Sequence, residues 1–291
     1  MPKNNCCHAK TDRYAVKQKK FAKRWLPPAL IERLRPLLRR GIYFSGQYAN
    51  WLSANRDASG YDSGQILERV MQATLKVNSG EAAFERDSVL FDEVIHSFPV
   101  LAGLLRAATE NGGHLSVLDF GGALGSSYYQ CRNFLSFLPR LQWGVVEQPH
   151  FVQCGQSLFR TDQLDFFFTI NEAQEKVSPN VALLSSVLQY VEKPDEILDE
   201  LADSGIRYLI IDRTPFSDSC DDVITVQHVS ASIYPASYAC RIFSRKKFQK
   251  KLSEKYEVLS TFDGSAIDGA NYLDGLRIEF GGVILCKKQD N

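Results

Sequence analysis

From residue 113 onward, short apolar runs alternate with helical or turn-rich segments. The runs are apolar at consecutive positions and not at alternate ones, which is typical of parallel strands covered by helices on both faces. These runs are "LSVLDF" (115–120), "QWGVVE" (142–147), "LDFFFT" (164–169), "VALLSS" (181–186) and "YLIIDR" (208–213). The pattern therefore predicts an α/β protein built from βαβ units.

The C-terminal part of the chain predicts a helix followed by two strands. After a stretch from Thr214 to Phe243 that we expect to be irregular, "SRKKFQKKLSEKYEVLSTFD" has the pattern of a helix and a strand, and "LRIEFGGVILCKK" that of a final strand. No helix separates these two strands, whereas a parallel return needs a crossover of about a dozen residues or more. We therefore expect the last two strands to pair antiparallel.

The segment that precedes the predicted sheet has a helical pattern. Between Tyr61 and Gly113, apolar residues recur at i, i+3 and i+4, and Pro99 marks a kink or a junction. The dense charges of "FERDS" (84–88) indicate an exposed helix start. We divide the chain into a basic N-terminal arm (1–42), a helical cap (43–112) and an α/β domain (113–291).

The charges of the chain are unevenly distributed, although they sum to zero. Residues 1–40 hold 12 of the 34 Lys and Arg residues but only two of the 34 Asp and Glu residues. Such an arm binds nucleic acid, anionic lipid or an acidic partner, or it simply keeps the chain soluble. It has few aromatics to stack on bases, so we expect no nucleic-acid partner. The helical spacing of "PPALIERLRPLLRR" (27–40) fits either a peripheral contact with an anionic membrane or a helix packed on its own domain.

Neither a membrane span nor a metal site is predicted. No apolar run approaches the roughly 20 residues that cross a bilayer, and no apolar segment typical of a secretion signal follows the basic N-terminus. We therefore expect a cytoplasmic protein. The seven cysteines are scattered and form no C-x-x-C pair, so neither a zinc site nor a disulfide framework is indicated.

The sequence "SVLDFGGALGSSYYQ" places a glycine-rich turn between the first predicted strand and a helix that begins near Ser126, and Ser126 or Ser127 is expected to cap this helix. Such a turn holds a cofactor at the carboxyl edge of a doubly wound sheet. A kinase reading of Asp-Phe-Gly fails because the other kinase motifs are missing, and the dinucleotide pattern G-x-G-x-x-G is not met. The turn resembles motif I of class I S-adenosylmethionine-dependent methyltransferases, with one alanine in place of a glycine. The matching residues, expected to bind the cofactor, are Asp119, Gly121, Gly122, Ala123 and Gly125.

Polar residues also follow the second and fourth predicted strands. Glu147 ends the second strand, where an acid accepts hydrogen bonds from both ribose hydroxyls in dinucleotide enzymes and methyltransferases, and Gln148 adjoins it. Ser185, Ser186 and Gln189 resemble the methyltransferase segment that faces the cofactor and the substrate. The alternatives are a surface or helix-capping role for Glu147 and an ordinary strand-to-helix loop for the serines and Gln189.

Seven segments, taken in order, resemble a family of methyltransferases of unassigned substrate that is often associated with bacterial surface-polysaccharide genes. They are "GYDSGQILERV", "AAFERDSVLFDEV", "VLDFGGALGSSYYQ", "VVEQPHFV", "LLSSVLQYVEKP", "YLIIDRTPF" and "ASIYPASYACRIFS". The resemblance begins at about residue 43 and implies S-adenosyl-L-methionine as cofactor. It implies a Rossmann-like seven-stranded methyltransferase sheet, mostly parallel with the last strand antiparallel, and a helical N-terminal cap. The resemblance supplies a pathway and no acceptor; our own expectation is O-methylation of a saccharide or glycolipid precursor.

A hydroxyl acceptor would be helped by a general base close to the cofactor. Asp212 ends the fifth predicted strand, at the edge where open α/β sheets carry their active sites, and is the first candidate. His228, in the predicted irregular stretch, titrates in the useful range and is the second. Cationic and aromatic residues are the candidates for binding the acceptor, namely Arg86, Arg213, Tyr234 and Tyr238.

Two other function classes stay open at this point. One is an NAD(P)-dependent oxidoreductase or epimerase, which lacks its glycine pattern here and also its Tyr-x-x-x-Lys motif. The other is a catalytically inactive protein that binds the cofactor, because the sequence contains no decisive catalytic constellation.

Overall fold

The computed structural model describes residues 42–59, 63–229, 236–264 and 270–288. The predicted basic arm and Tyr234 lie outside the described residues. The strands are β1 (Tyr43–Tyr48), β2 (Phe84–Arg86), β3 (Val89–Phe91), β4 (His114–Phe120), β5 (Arg140–Val146), β6 (Leu164–Phe167), β7 (Val181–Ser185), β8 (Tyr208–Ser217), β9 (Val223–Val229), β10 (Ala236–Ser244), β11 (Tyr256–Asp263), β12 (Ala270–Leu273) and β13 (Leu276–Lys287). The helices are α1 (Trp51–Asp57), α2 (Ser63–Ser79), α3 (Phe98–Glu110), α4 (Ser126–Cys131), α5 (Pro149–Leu158), α6 (Ile170–Val177), α7 (Pro194–Asp203) and α8 (Arg245–Lys255).

Seven strands form the predicted Rossmann-like sheet, in the order β6-β5-β4-β7-β8-β13-β11. The strands β4 to β8 are parallel, and β13 lies antiparallel between β8 and β11. The predicted α/β fold with an antiparallel final strand is therefore confirmed. Because β4, β5, β7 and β8 run parallel, their carboxyl ends share one edge, where the predicted cofactor residues lie.

Helices cover both faces of this sheet, which explains why its strands are apolar at consecutive positions. One face packs against α2, α3, α4 and α5 around the fully buried Trp143. The other face packs against α6, α7 and α8, with Phe243 and Phe248 among its buried aromatics. Each β-strand in the centre of the sheet thus has two apolar faces to bury.

Four further strands enlarge the sheet. The end of β8 pairs with β10, which is followed by β9 and β1, and β12 pairs with the start of β13. The prediction of an irregular stretch from Thr214 to Phe243 was wrong, because β9 and β10 lie in it. Their mixed burial and polar residues hide the strand pattern, and their pairing partner β1 is distant in sequence. The pairing therefore depends on long-range contacts that a local pattern does not reveal.

The helical prediction for the segment before the sheet is only partly correct. Helices α2 and α3 form, and Pro99 occupies the first turn of α3. The helix start predicted at "FERDS" was wrong, because these residues form the β2–β3 hairpin. Its turn residues Asp87 and Ser88 both have positive φ, at 51° and 65°, as tight hairpin turns require. The segment before α1 is also a strand, β1, and the domain boundaries at residues 42 and 112 stay predictions.

Candidate cofactor and active site

The glycine turn lies between β4 and α4, and its glycines are sterically required. Gly121 and Gly125 have φ of 73° and 93°, in the left-handed region that favours glycine. A Cβ atom on Gly121 would overlap the Val187 side chain, and one on Gly122 would lie 2.6 Å from the Asp119 carboxylate. The turn is therefore closely packed by the Val187 and Asp119 side chains, and only glycine fits at these two positions.

Ala123 takes the place of the usual middle glycine and adopts a left-handed conformation, with φ of 51°. This conformation costs an L-residue roughly 1–2 kcal/mol. The Glu147 carboxylate accepts hydrogen bonds from the backbone N–H groups of Ala123 and Gln148, the latter at 2.6 Å. The acid at the end of the second central strand is thus held against the glycine turn, although burial raises its pKa above the usual value.

Asp119, two residues before the first glycine, is 1% exposed. Its Oδ2 accepts a hydrogen bond of 2.9 Å from the indole Nε1 of Trp143. Its Oδ1 is buried and makes no hydrogen bond with the described residues. Burial, together with the nearby negative charge of Glu147, raises the pKa of Asp119 to about 7. Sequence reasoning missed Trp143, because its position opposite Asp119 depends on the register of β4 and β5.

The ends of β7 and β8 bring the next predicted residues together. The Ser185 hydroxyl donates a hydrogen bond of 3.2 Å to Oδ2 of Asp212, and the backbone N–H of Ser186 donates to the Asp212 carbonyl at 3.0 Å. Asp212 is 5% exposed. β7 ends here while β8 continues, so the two strands separate directly beyond Asp212.

Gln189 lies in a short 3₁₀ turn (Leu188–Tyr190) beside this separation and is fully buried. Its Nε2 donates to the Ser186 hydroxyl at 3.0 Å and lies 3.5 Å from the Arg213 carbonyl. Its Oε1 is buried and makes no hydrogen bond with the described residues. The side chain thus connects the ends of β7 and β8 and leaves one acceptor atom available.

The β2–β3 hairpin contacts both β8 and the start of α4. Oδ2 of Asp87 forms an ion pair of 2.9 Å with the Arg213 guanidinium, whose side chain is 17% exposed. Glu85 accepts hydrogen bonds from the hydroxyl of Ser126, directly after the glycine turn, and from the backbone N–H of Ser88. The hairpin thus contacts Arg213 directly, and the guanidinium of Arg86, on the same hairpin, lies 5.9 Å from the Phe84 ring centre.

Two expectations about this segment were wrong. We expected Glu85 to be outside the core, but it is 1% exposed, and its pKa rises to about 7 mainly because of this burial. We also expected a serine after the glycine turn to cap the helix. Gly125 occupies the N-cap position of α4 without a side-chain cap, since Ser126 donates to Glu85 instead. Only the tertiary contact between hairpin and turn reveals these roles.

We expected His228 to lie in an irregular stretch, but it lies on β9. Its Nε2 is 2.7 Å from the Ser45 hydroxyl, and its ring stacks on Tyr43 at 4.6 Å. Burial lowers its pKa. These contacts explain His228 as a residue that joins β1 to β9, and no described contact links it to Asp212. A general-base role for His228 therefore has no support in the geometry.

Tyr238 lies on β10 and packs edge-on against Tyr190, with ring centres 5.9 Å apart. The Tyr190 hydroxyl in turn accepts a hydrogen bond of 2.8 Å from Gln227. Since Tyr190 follows Gln189 directly, the aromatic pair adjoins the buried polar group at the end of β7. The sequence did not single out Tyr190 for this pairing.

Backbone strain is concentrated in the same region. Five of the seven described non-glycine residues with positive φ lie in the glycine turn, the strand ends or the hairpin, namely Asp87, Ser88, Ala123, Ser186 and Arg213. Strained conformations persist where the surrounding structure fixes them, and they cluster at functional sites. The hairpin turn accounts for Asp87 and Ser88, whereas Ala123, Ser186 and Arg213 lie near the edge that carries the predicted cofactor residues.

Among the residues that the structure describes, no group of three or more His, Cys, Asp or Glu side chains is arranged to hold a metal ion. None of their helices has the length and apolar character that crossing a bilayer requires.

No protein-family model matches the chain, and no curated protein sequence matches it. Among solved structures, it is similar to the N-terminal domain of EvdMO1 with S-adenosylhomocysteine and D-fucose, at 14% identity over 78% of this chain and 97% of that one, with a TM-score of 0.44. It is also similar to magnesium protoporphyrin IX methyltransferase from Synechocystis PCC 6803, at 14% identity over 97% and 100% of the two chains and a TM-score of 0.39. An amino pentose methyltransferase from Micromonospora echinaspora matches at 9% identity over 66% and 91%, with a TM-score of 0.41. Because these TM-scores are below 0.5, the fold is assigned from the strand order and not from these likenesses.

Proposed function

We propose that this protein is an S-adenosylmethionine-dependent methyltransferase. The observation that carries the proposal is the glycine turn after β4, held by Glu147 from the end of β5, in a sheet whose antiparallel β13 lies beside β8. A turn and an acid in this arrangement are suited to an adenosine-containing cofactor at the carboxyl edge of the sheet. The antiparallel strand favours the methyltransferase class over a dinucleotide-dependent oxidoreductase, which is the alternative.

The residues present fit such a cofactor. Only glycine fits at Gly121 and Gly122, so a ligand at the turn would meet backbone and no side chain of these two residues. The Glu147 carboxylate would accept hydrogen bonds from ribose hydroxyls, with Gln148 beside it. Asp119 Oδ1 and Gln189 Oε1 are buried acceptors without a hydrogen bond among the described residues, and ligand donors would satisfy them.

The bound cofactor would supply a methyl group activated by a positively charged sulfur. For this chain, the remaining task is to align the acceptor, exclude water and remove a proton. Asp212 is the proposed general base for a hydroxyl acceptor, because its carboxylate is buried at the strand end and is oriented by Ser185. Arg213 and Tyr238 border the same strand ends and would bind the acceptor, with Arg86 on the hairpin beside them.

The proposed acceptor is a saccharide or a glycolipid precursor. The edge-on pair of Tyr190 and Tyr238 supports this choice, since aromatic rings pack well against sugar faces. The neighbouring acid and arginine suit a polar ligand with many hydroxyl groups. Polysaccharide biosynthesis and a cytoplasmic location, with the basic arm at an anionic membrane, belong to the same proposal.

Ligand titration by calorimetry tests the cofactor. We expect S-adenosylhomocysteine to bind with micromolar affinity or better and NADH not to bind. Glu147→Ala should weaken this binding at least about tenfold, since hydrogen bonds to a charged group are worth about 1.5–3 kcal/mol. Asp162→Ala, which removes an exposed acid just before β6, is the control and should leave the affinity unchanged.

Binding of NADH in place of S-adenosylhomocysteine would refute the proposed class. Unchanged affinity in Glu147→Ala would mean that the ligand binds elsewhere. Transfer of labelled methyl to glycan acceptors then separates an active enzyme from a protein that only binds the cofactor. Failure across all acceptors despite tight binding would favour the inactive protein.

A further inference from the structure

We infer that Glu85 is a specificity-determining residue of the proposed cofactor site: it fixes the start of α4 through Ser126 and favours a positively charged ligand in the glycine turn. The inference rests on the proposed function. It concerns the difference between the methyl donor, which carries a positive sulfur, and the product S-adenosylhomocysteine, whose sulfur is neutral.

Glu85 lies beside the glycine turn. The residue comes from β2, far in sequence from the turn, yet its carboxylate contacts Ser126, the residue directly after Gly125. It is 1% exposed, and the backbone N–H of Ser88 occupies its second oxygen. A buried carboxylate with two donors is held in one orientation, so its charge acts from a fixed place beside the turn.

Neighbouring charges and hydrogen bonds change the pKa of Glu85 in opposite directions. Asp87 on the same hairpin raises its pKa, whereas Arg213 on β8 and the hydrogen bonds from Ser126 and Ser88 lower it. Arg213 also forms an ion pair with Asp87. Burial outweighs the lowering contributions, so the pKa of Glu85 is raised to about 7.

Acidic side chains lie around the glycine turn. Three carboxylates surround it, from Glu85, Asp119 and Glu147, and Asp119 has a buried oxygen without a hydrogen bond among the described residues. A cation placed in the turn would favour the ionised form of each carboxylate, and a neutral ligand would not. Binding of the methyl donor is therefore coupled to loss of a proton from Glu85. After methyl transfer the sulfur of the product is neutral, so its attraction to the three carboxylates is weaker and release of the product is favoured.

The test compares the affinities of S-adenosylmethionine and S-adenosylhomocysteine for the full-length protein by calorimetry between pH 5.5 and 7.5. We expect the affinity ratio, donor over product, to rise with pH in the wild type as Glu85 loses its proton. Glu85→Gln should lower this ratio about fivefold at pH 7.5, since a single buried charge at short range has an effect of this order. It should also reduce the pH dependence of the ratio to the part contributed by Asp119, whose pKa is likewise raised to about 7. Glu93→Gln removes an exposed acid from the segment after the hairpin and should behave as the wild type.

Ser126→Ala provides a second variant that keeps the charge and removes the contact with the turn. We expect it to weaken both ligands about threefold to tenfold. It should also shift the rise of their ratio to higher pH, because the lost hydrogen bond had lowered the pKa of Glu85. An unchanged ratio and pH profile in Glu85→Gln would overturn the charge role, and unchanged affinities in Ser126→Ala would overturn the fixing role. If the wild type binds neither ligand, the proposed function fails together with the inference.

Discussion

At the scale of single residues, the site combines strained backbone with buried acids. Ala123 adopts a left-handed conformation that glycine would take without cost, and Asp119 and Glu85 are carboxyl groups buried with raised pKa. Both features cost stability, and neither is needed for packing the sheet. Their common place beside the glycine turn is best explained by ligand binding.

Ala123→Gly is expected to leave the free energy of unfolding unchanged or to raise it by up to about 1.5 kcal/mol. Removing the strain gains roughly 1–2 kcal/mol, and the greater freedom of glycine in the unfolded chain costs about 0.4–1 kcal/mol. Urea denaturation measures the change. Ala102→Gly, at an exposed position of α3, is the control and should lose about 1 kcal/mol. If Ala123→Gly lowered the free energy of unfolding as much as Ala102→Gly, the left-handed conformation of Ala123 would carry no strain.

The pH dependence of stability tests the burial of Glu85. Its pKa in the folded protein is raised to about 7 from an ordinary value of 4.5, so its stabilising contribution is complete below about pH 4.5 and is lost as the pH rises through 7. Glu85→Gln cannot ionise, so its stability relative to the wild type should increase by about 1–3 kcal/mol between pH 5 and pH 8. Denaturation at both pH values measures this difference. Glu93→Gln should show none, and a flat difference for Glu85→Gln would contradict the raised pKa.

At the scale of elements, the β2–β3 hairpin and the length of β8 organise the site. The hairpin contacts the start of α4 through Glu85 and Arg213, a residue with positive φ, through Asp87. It therefore joins the proposed cofactor side to the proposed acceptor side. β8 continues past the end of β7 and pairs with β10, which leaves a gap for the 3₁₀ turn that carries Gln189. The hairpin was predicted as a helix because its charged residues resemble a helix start, and only contacts distant in sequence bury Glu85.

At the scale of the whole molecule, the described residues from Tyr43 onward form one compact unit. The sheet places the glycine turn, Glu147, Ser185 and Asp212 along one edge, as parallel strands require. The membrane role of the basic arm concerns the part of the chain before this unit and stays a prediction.

Co-sedimentation with liposomes tests the arm. We expect the full-length protein to bind vesicles that contain anionic lipid and to be released by salt, since each Lys or Arg near such a surface contributes about 1 kcal/mol. Deletion of residues 1–40 should abolish this binding and leave the affinity for S-adenosylhomocysteine unchanged. Vesicles of neutral lipid are the control. Equal binding with and without the arm would exclude it as the membrane contact.

The sequence by itself determined the class of the fold and the location of the glycine turn. Consecutive apolar residues mark strands that are buried on both faces, and glycines mark backbone that must turn sharply, so both signals are local. The antiparallel pairing of the last two strands also followed from their short separation in sequence.

The tertiary structure decided which polar residues meet. Glu85 contacts Ser126, Asp87 pairs with Arg213, Trp143 donates to Asp119, and His228 joins β1 instead of the site. Each of these contacts joins residues from different elements, so it depends on strand register and chain packing and not on the identity of neighbours in sequence. For the same reason, the burial that raises the pKa of two acids to about 7 became visible only in the folded chain.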